Sequence, residues 1–153
     1  MDSNEKPINN DSKVSSSRFA EGGDDTIIDV KKKLVWLKKD SWQLTGKWLN
    51  WVQARDYGKE LNKQSMGGYQ DWRMPSAAEA KSLFDKSQVN NDNQGKAAFL
   101  HKIFPEGFGF LCWTSDVRDK VQAIRFGYRK GGVMYDDIYR VSRGSTRYVR
   151  DIE

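Results

Sequence analysis

The sequence is sparing with the residues that most protein chemistry is built from. A single cysteine, Cys112, excludes an intramolecular disulfide and any zinc site made of cysteines. A single histidine, His101, excludes a histidine-rich metal centre and leaves only an all-oxygen one open. No apolar run approaches the roughly 18 residues that a transmembrane helix needs, and residues 1–21 lack the apolar core of a signal peptide. No repeat of about 20 to 50 residues recurs, which argues against solenoids and propellers. What is present suffices for one packed core: 153 residues, 37% hydrophobic and 12% aromatic, with six tryptophans. Charged residues make up 31%, and 26 Lys and Arg against 21 Asp and Glu leave +5, a wet, mixed and mildly basic surface. That excess does not by itself call for nucleic acid.

Residues 1–23 are rich in Ser, Asn, Asp and Lys and almost free of large apolar side chains, so they cannot bury enough surface to offset the entropy of ordering. They read as a disordered tail of net charge −1, which leaves a domain over residues 24–153 carrying +6. Thr26 to Val30 and Leu34 to Leu37 are β-branched or apolar runs separated by three lysines, the pattern of two strands joined by a tight turn. Asn50 and Gln53 form a capping signature, and Trp51, Ala54, Gly58 and Leu61 recur on one face, which predicts a helix over 51–63. Gly58 in its interior costs about 1 kcal/mol relative to Ala, a sign that another segment packs closely there. Ser76 and Glu79 repeat the capping signature after Pro75 and predict a second helix over 77–86. Residues 87–95 read as an exposed loop and 96–104 as a further helical turn. From Leu111 the period becomes two: Ile124, Phe126 and Tyr128 point one way, Arg125 and Arg129 the other, towards water. Val133 to Tyr135 follows across a Gly131-Gly132 turn, and 146–150 supplies a last strand, giving an α+β chain.

Several blocks carry a resemblance: Leu34-Val35-Trp36; Asn50-Trp51 with Ala54 and Tyr57; Gly67-Gly68-Tyr69-Gln70-Asp71-Trp72-Arg73-Met74-Pro75-Ser76; Ile103-Phe104-Pro105; Cys112-Trp113-Thr114-Ser115; and Arg147-Tyr148-Val149-Arg150. In this order they are similar to the DUF1566 family, also called the Lcl C-terminal domain after a Legionella collagen-like adhesin, over about residues 24–151. Gly58 stands where many members have Cys, Met74 where many have Leu, and Lys32-Lys33 where many have Thr-Gly. The resemblance implies a C-type-lectin-like fold with two main helices, antiparallel sheets and the first strand paired with the last. Within the central block, Gly67-Gly68 permits a positive-φ turn, Trp72 fills core, and Pro75 with Ser76 starts a helix. Trp36, Trp51, Gly68, Asp71, Trp72, Arg73, Pro75, Trp113, Arg147 and Arg150 are read together as scaffold. Asp71 and Arg73 are either exposed or lock loops by pairing with partners such as Arg147 or Asp29.

Catalysis finds little footing. Cys112 lies in an apolar run and His101 eleven residues away on another element, so no nucleophile and base are paired. The related formylglycine-generating enzymes need two active-site cysteines and the sulfoxide synthases several histidines. The calcium-dependent sugar motifs of C-type lectins are absent, and Asp136-Asp137, the Asn90 to Asn93 run and Asp24-Asp25 serve equally well as turn chemistry. No cofactor is expected. The suggestive stretch is 118–150, nine cations against three carboxylates and a net of +6. Its arginines match sulfate, carboxylate or phosphate in two-point contact, and its tyrosines can stack on sugar rings. Arg118, Arg125, Arg129, Lys130, Tyr135, Tyr139, Arg140 and Arg143 are the candidate ligand-binding residues. The bland alternative is that alternate strand residues merely face water.

The sequence therefore reads as a non-enzymatic, adhesin-like binding module for anionic polysaccharide, in line with the glycosaminoglycan association of the adhesin that names the family. A protein-interaction or structural subunit on the same scaffold is the alternative. Nucleic acid fits the charge, but no recognition helix or RNA-binding aromatic motif accompanies it. Family members are commonly exported or surface-attached; here either a signal was removed or the protein stays inside. The polysaccharide reading requires the arginines of the last third to converge on one accessible side.

Overall fold

The computed structural model describes residues 18–152. Its first sheet has the order β1-β2-β3-β9, built from β1 (Phe19–Glu21), β2 (Thr26–Asp29), β3 (Leu34–Leu37) and β9 (Val149–Asp151), all antiparallel. Three helices follow the hairpin: α1 (Ser41–Thr45), α2 (Trp51–Lys63) and α3 (Ala77–Ser82). A two-residue pair, β4 (Asn90–Asn91) with β5 (Ala97–Ala98), leads into a second three-stranded antiparallel sheet of β6 (Leu111–Arg118), β7 (Gln122–Gly127) and β8 (Val133–Asp137). The architecture is α+β with three antiparallel sheets.

The Leu34-Val35-Trp36-Leu37 run is continuous rather than alternating because β3 is covered on both faces. Leu34 and Trp36 enter one apolar cluster with Ile27, Phe104, Phe126 and Val149. Val35 and Leu37 enter the other with Ala54, Leu61, Trp72, Trp113 and Tyr148. Burying each such side chain is worth about 1.5–3 kcal/mol, an upper bound for a compact unfolded chain. The capping boxes at Asn50 and Ser76 both close as the sequence implies, with side chain and backbone exchanging bonds at each. Gly58 is tight as expected: a Cβ there would lie 3.0 Å from the ring of Tyr148.

Several expectations are corrected. The expected tail over residues 1–23 is shorter: Phe19–Glu21 forms β1, and Arg18 donates two bonds to the buried carboxylate of Asp29 and one to the Ser82 carbonyl. One aromatic and one arginine with buried partners outweigh the polar composition around them. Residues 1–17 lie outside the described ones. The last strand pairs with β3, not with the first strand, because β1 already occupies the other edge of β2. The second helix ends at Ser82 instead of 86, since Phe84 leaves it to bridge Leu100. β4 and β5 occupy parts of the expected loop and helical turn, and α1 is an unanticipated third helix.

One segment crosses between the sheets and ties the elements together. Ser145 bridges Cys112 on β6, and the Thr146 carbonyl accepts from the Ser41 N–H at the start of α1 while the Thr146 N–H donates to the Ser41 hydroxyl. Arg147, buried beside the rings of Phe104 and Phe108, donates to the carbonyls of Leu37 and Lys38. Burial lowers the pKa of its guanidinium and raises that of the buried Asp40, each drawn the other way by the partner's charge. Tyr148 donates to the Ala54 carbonyl of α2. Gly144 opens this strap, and a Cβ there would fall 1.8 Å from the Leu49 carbonyl oxygen and 2.7 Å from the indole nitrogen of Trp113. Gly144→Ala should therefore cost about 3 kcal/mol or more, read as a fall in the denaturant midpoint. Arg147→Ala, which strands two interior carbonyls, should cost about 2–5 kcal/mol in the same measurement.

Candidate functional site

β7 is the middle strand of the second sheet, and its side chains sort the candidate cations. Registers with β6 and β8 place Trp113, Arg125 and Met134 on one face, and Cys112, Phe126 and Val133 on the other. Arg125 does not face water as the alternation predicted; it is 3% exposed. It lies over the ring of Trp113 at 4.3 Å and donates to Asp136 at 3.0 Å and to the Ser142 carbonyl at 2.6 Å. On a face covered by tryptophan this arginine spends both terminal nitrogens internally, its buried Nε has no partner among the described residues, and the side chain is out of reach of a ligand. Burial lowers its pKa despite Asp136.

The other candidates divide among three places. Arg129 and Lys130 line a groove of about 290 Å³ with Phe110, Leu111, Gly127, Gly132 and Met134. Arg129 stacks on Phe110 at 3.6 Å and is fixed by Asp92 at 2.6 Å and Gln94 at 2.9 Å, while Arg143 reaches the same ring from 5.9 Å. Among the described residues, neither Lys130 nor Arg143 is paired with a carboxylate. At the far end of the sheet Tyr139 and Arg140 line a separate depression with Asp137, Val141 and Ser142, and Arg140 is held by Asp136 at 2.7 Å. Burial pushes the Asp136 carboxyl up, but bonds from Arg140 and the Asp137 backbone, with the Arg125 charge, bring it below its ordinary value. Arg118 lies over Tyr135 at 3.7 Å and bonds Gln122. The eight residues thus do not converge on one side; they fall into separate small groups, of which Arg129 and Lys130, with Arg143 near the Phe110 ring, border the groove.

The scaffold residues hold one another. Trp36 donates to Asp29, Trp51 to Thr114, Trp72 to Met66 and Trp113 to Leu49, so each indole nitrogen is used internally. Gly68 stands at φ +87°, and the Pro75 carbonyl accepts from Ser115 on β6. Asp71 pairs with Arg150 at 2.6 Å rather than with Arg147, and Arg150 stacks on Tyr69 at 3.9 Å. Arg73 makes a two-point contact with Glu79 at 2.8 and 2.9 Å and reaches Asp151 at 3.0 Å, while Asp29 belongs to Arg18. Reading these partners from sequence failed because Arg150 and Asp151 lie 79 and 78 residues from theirs, Glu79 belongs to a capping box, and Arg18 falls in the segment expected to be tail. The Arg73 contact lowers Glu79, and the Arg150 hydrogen bond lowers Asp71.

The Cys112 thiol is buried, pushed up by that burial, and bonds the Trp113 carbonyl. His101 accepts from the Ile103 backbone and packs on Phe19. Among the described residues there is no group of three or more His, Cys, Asp or Glu arranged to hold a metal ion, and no helix long and apolar enough to cross a membrane. Sequence reasoning missed Phe110, Leu111 and Met134 as groove walls. Their apolar types are indistinguishable from core, and the Gly131-Gly132 turn beside them was the one local signal of an open surface.

Fold and groove together define a small α+β domain laced by a late strap, with a cation-rimmed apolar groove on its second sheet. The model of the Lcl C-terminal domain family matches residues 25–150, and the chain belongs to that family. No curated protein and no solved structure matches it.

Because folded Glu79 and Asp71 hold their protons less tightly than in the unfolded chain, they add stability above the ordinary carboxylate values of about 4. That contribution disappears as pH falls through their lowered folded values. The melting temperature should drop below about pH 4, and Glu79→Gln, which keeps the capping oxygen, should flatten that acid limb.

Proposed function

We propose that this domain is a non-enzymatic ligand-binding module that recognises anionic polysaccharide through the groove between Phe110 and Met134. The C-type-lectin-like fold implied by the family resemblance is part of this reading. The observation that carries it is an apolar groove lined by Arg129 and Lys130, with Arg143 5.9 Å from its Phe110 ring, and with Lys130 and Arg143 free of carboxylates among the described residues. Arg129 is preset by Asp92, so its stack on Phe110 is a rigid wall, and the two unpaired cations supply the attraction. A sugar ring offers an apolar face to Met134 and Phe110, while its sulfate or carboxylate meets Lys130 and Arg143. The groove is narrower than the whole arginine-rich stretch, so a few charged units would be bound, not a long tract.

A second reading, a protein-interaction subunit, is favoured by one observation: Val133, Met134, Tyr135 and Tyr139 are exposed in succession along the sheet's edge.

Titrating a heparin octasaccharide into the protein at two salt concentrations tests the first reading. Affinity should fall steeply with salt, and Lys130→Ala with Arg143→Ala should weaken binding about tenfold at the lower salt. Unchanged affinity in the double variant would sink the groove assignment.

A further inference from the structure

The second sheet has two edges, and they are treated differently. The outer edge of β6 is sealed: Trp113 donates to the Ser145 carbonyl and Ser115 to that of Pro75. In the first sheet β9 is likewise closed by the paired bonds between Arg73 and Val149. Among the described residues β8 has no such cover. Its register with β7 runs one to one from Val133 to Asp137 with no bulge. Bonds join Gly127 to Gly132 and Ile138 to Val121 in the same register, so Met134 and Asp136 are the residues bonded to β7. By alternation, the N–H and C=O of Val133 and Tyr135 point outward, and none of these four groups has a partner among the described residues.

The side chains agree with the backbone. Val133 is 52% exposed, and Met134 and Tyr135 are each 42% exposed, though they alternate between opposite faces. Natural edges are blunted by lysine, proline, a bulge or an inward charge, and these first three residues of β8 have none of them. Each face instead brings one cation to the edge: Arg118 over Tyr135, and Lys130 beside Met134 in the groove. Asp136 is already neutralised by Arg125 and Arg140.

We propose that β8 is a docking edge that takes an extended acidic peptide of a partner protein as a fourth strand. The proposal rests on the protein-partner reading and names the partner's form. The peptide's main chain bonds Val133 and Tyr135, its acidic side chains on one face meet Arg118, and those on the other meet Lys130. A second copy of this chain fits less well, because two-fold pairing would bring its own Arg118 and Lys130 onto the faces that already hold them.

The experiment titrates acetyl-Glu-Glu-Val-Glu-Glu-Thr-amide, whose glutamates fall on both faces of a strand, into the intact protein, with its Lys-for-Glu counterpart and a backbone N-methylated form as controls. Amide exchange is followed by NMR. The acidic peptide should bind, slow exchange at Val133 and Tyr135, and lose affinity about tenfold or more on N-methylation or charge reversal. Val133→Pro removes one outward donor without touching the ladder to β7, and Val133→Glu adds a repelling charge; both should weaken binding while the melting temperature stays near that of the parent. Equal binding of the N-methylated peptide would overturn the proposal. So would self-association that Val133→Pro abolishes in the absence of any peptide binding. Peptide binding with protection confined to residues 139–143 would overturn the edge while leaving a protein partner in place. Absence of binding by all three peptides, with Val133 and Tyr135 exchanging freely, would overturn it as well.

Discussion

The segment from Gly144 to Arg150 is the constraint on which the rest of the molecule depends. Within seven residues it meets Leu49, Cys112, Ser41, Leu37, Ala54, Arg73 and Asp71, which belong to the first and second sheets and to the helices and loops between them. Most of these contacts are hydrogen bonds inside an apolar interior, where an unmade bond costs more than a made one contributes. The strap therefore tolerates few arrangements. It sets the separation of the sheets, and through Trp113 and Tyr148 it sets where α2 packs.

The same logic explains where the charge goes. A chain with +5 overall would be expected to display its arginines, yet Arg18, Arg73, Arg125, Arg147 and Arg150 each pin backbone or carboxylates in half-buried or buried surroundings. The planar guanidinium suits this work, since one group satisfies several fixed acceptors at once. The exposed cations are mostly lysines spread over the surface, such as Lys31, Lys59 and Lys102, and few arginines remain beside the groove.

Much of the fold was legible in the sequence because it is written in short-range chemistry. The Asn50–Gln53 and Ser76–Glu79 boxes and the β2–β3 hairpin depend on residues a few positions apart, whereas the close packing at Gly58 was signalled by a glycine inside a helix although its partner, Tyr148, is distant in sequence. The Asp40–Gln43 box that starts α1 is the same signature and was readable too, but Trp42 and the nearby Gly46 obscured so short a helix. Long-range pairing was less legible. Arg150 finds Asp71 and the last strand finds β3 through topology that no local pattern records. The candidate site was misjudged for a physical reason: alternation along β7 reports a half-exposed strand only when one face is open, and here Trp113 covers the face on which Arg125 lies.

The position of the strap has a consequence for how the molecule comes into being on the ribosome. β1 to β3, the helices and β6 to β8 are all synthesised before residues 144–150, yet the carbonyls of Leu37, Lys38 and Ala54 have their strap donors only afterwards. A chain without residues 144–150 thus lacks the bonds that join its two half-cores, and their closure is a nonlocal event.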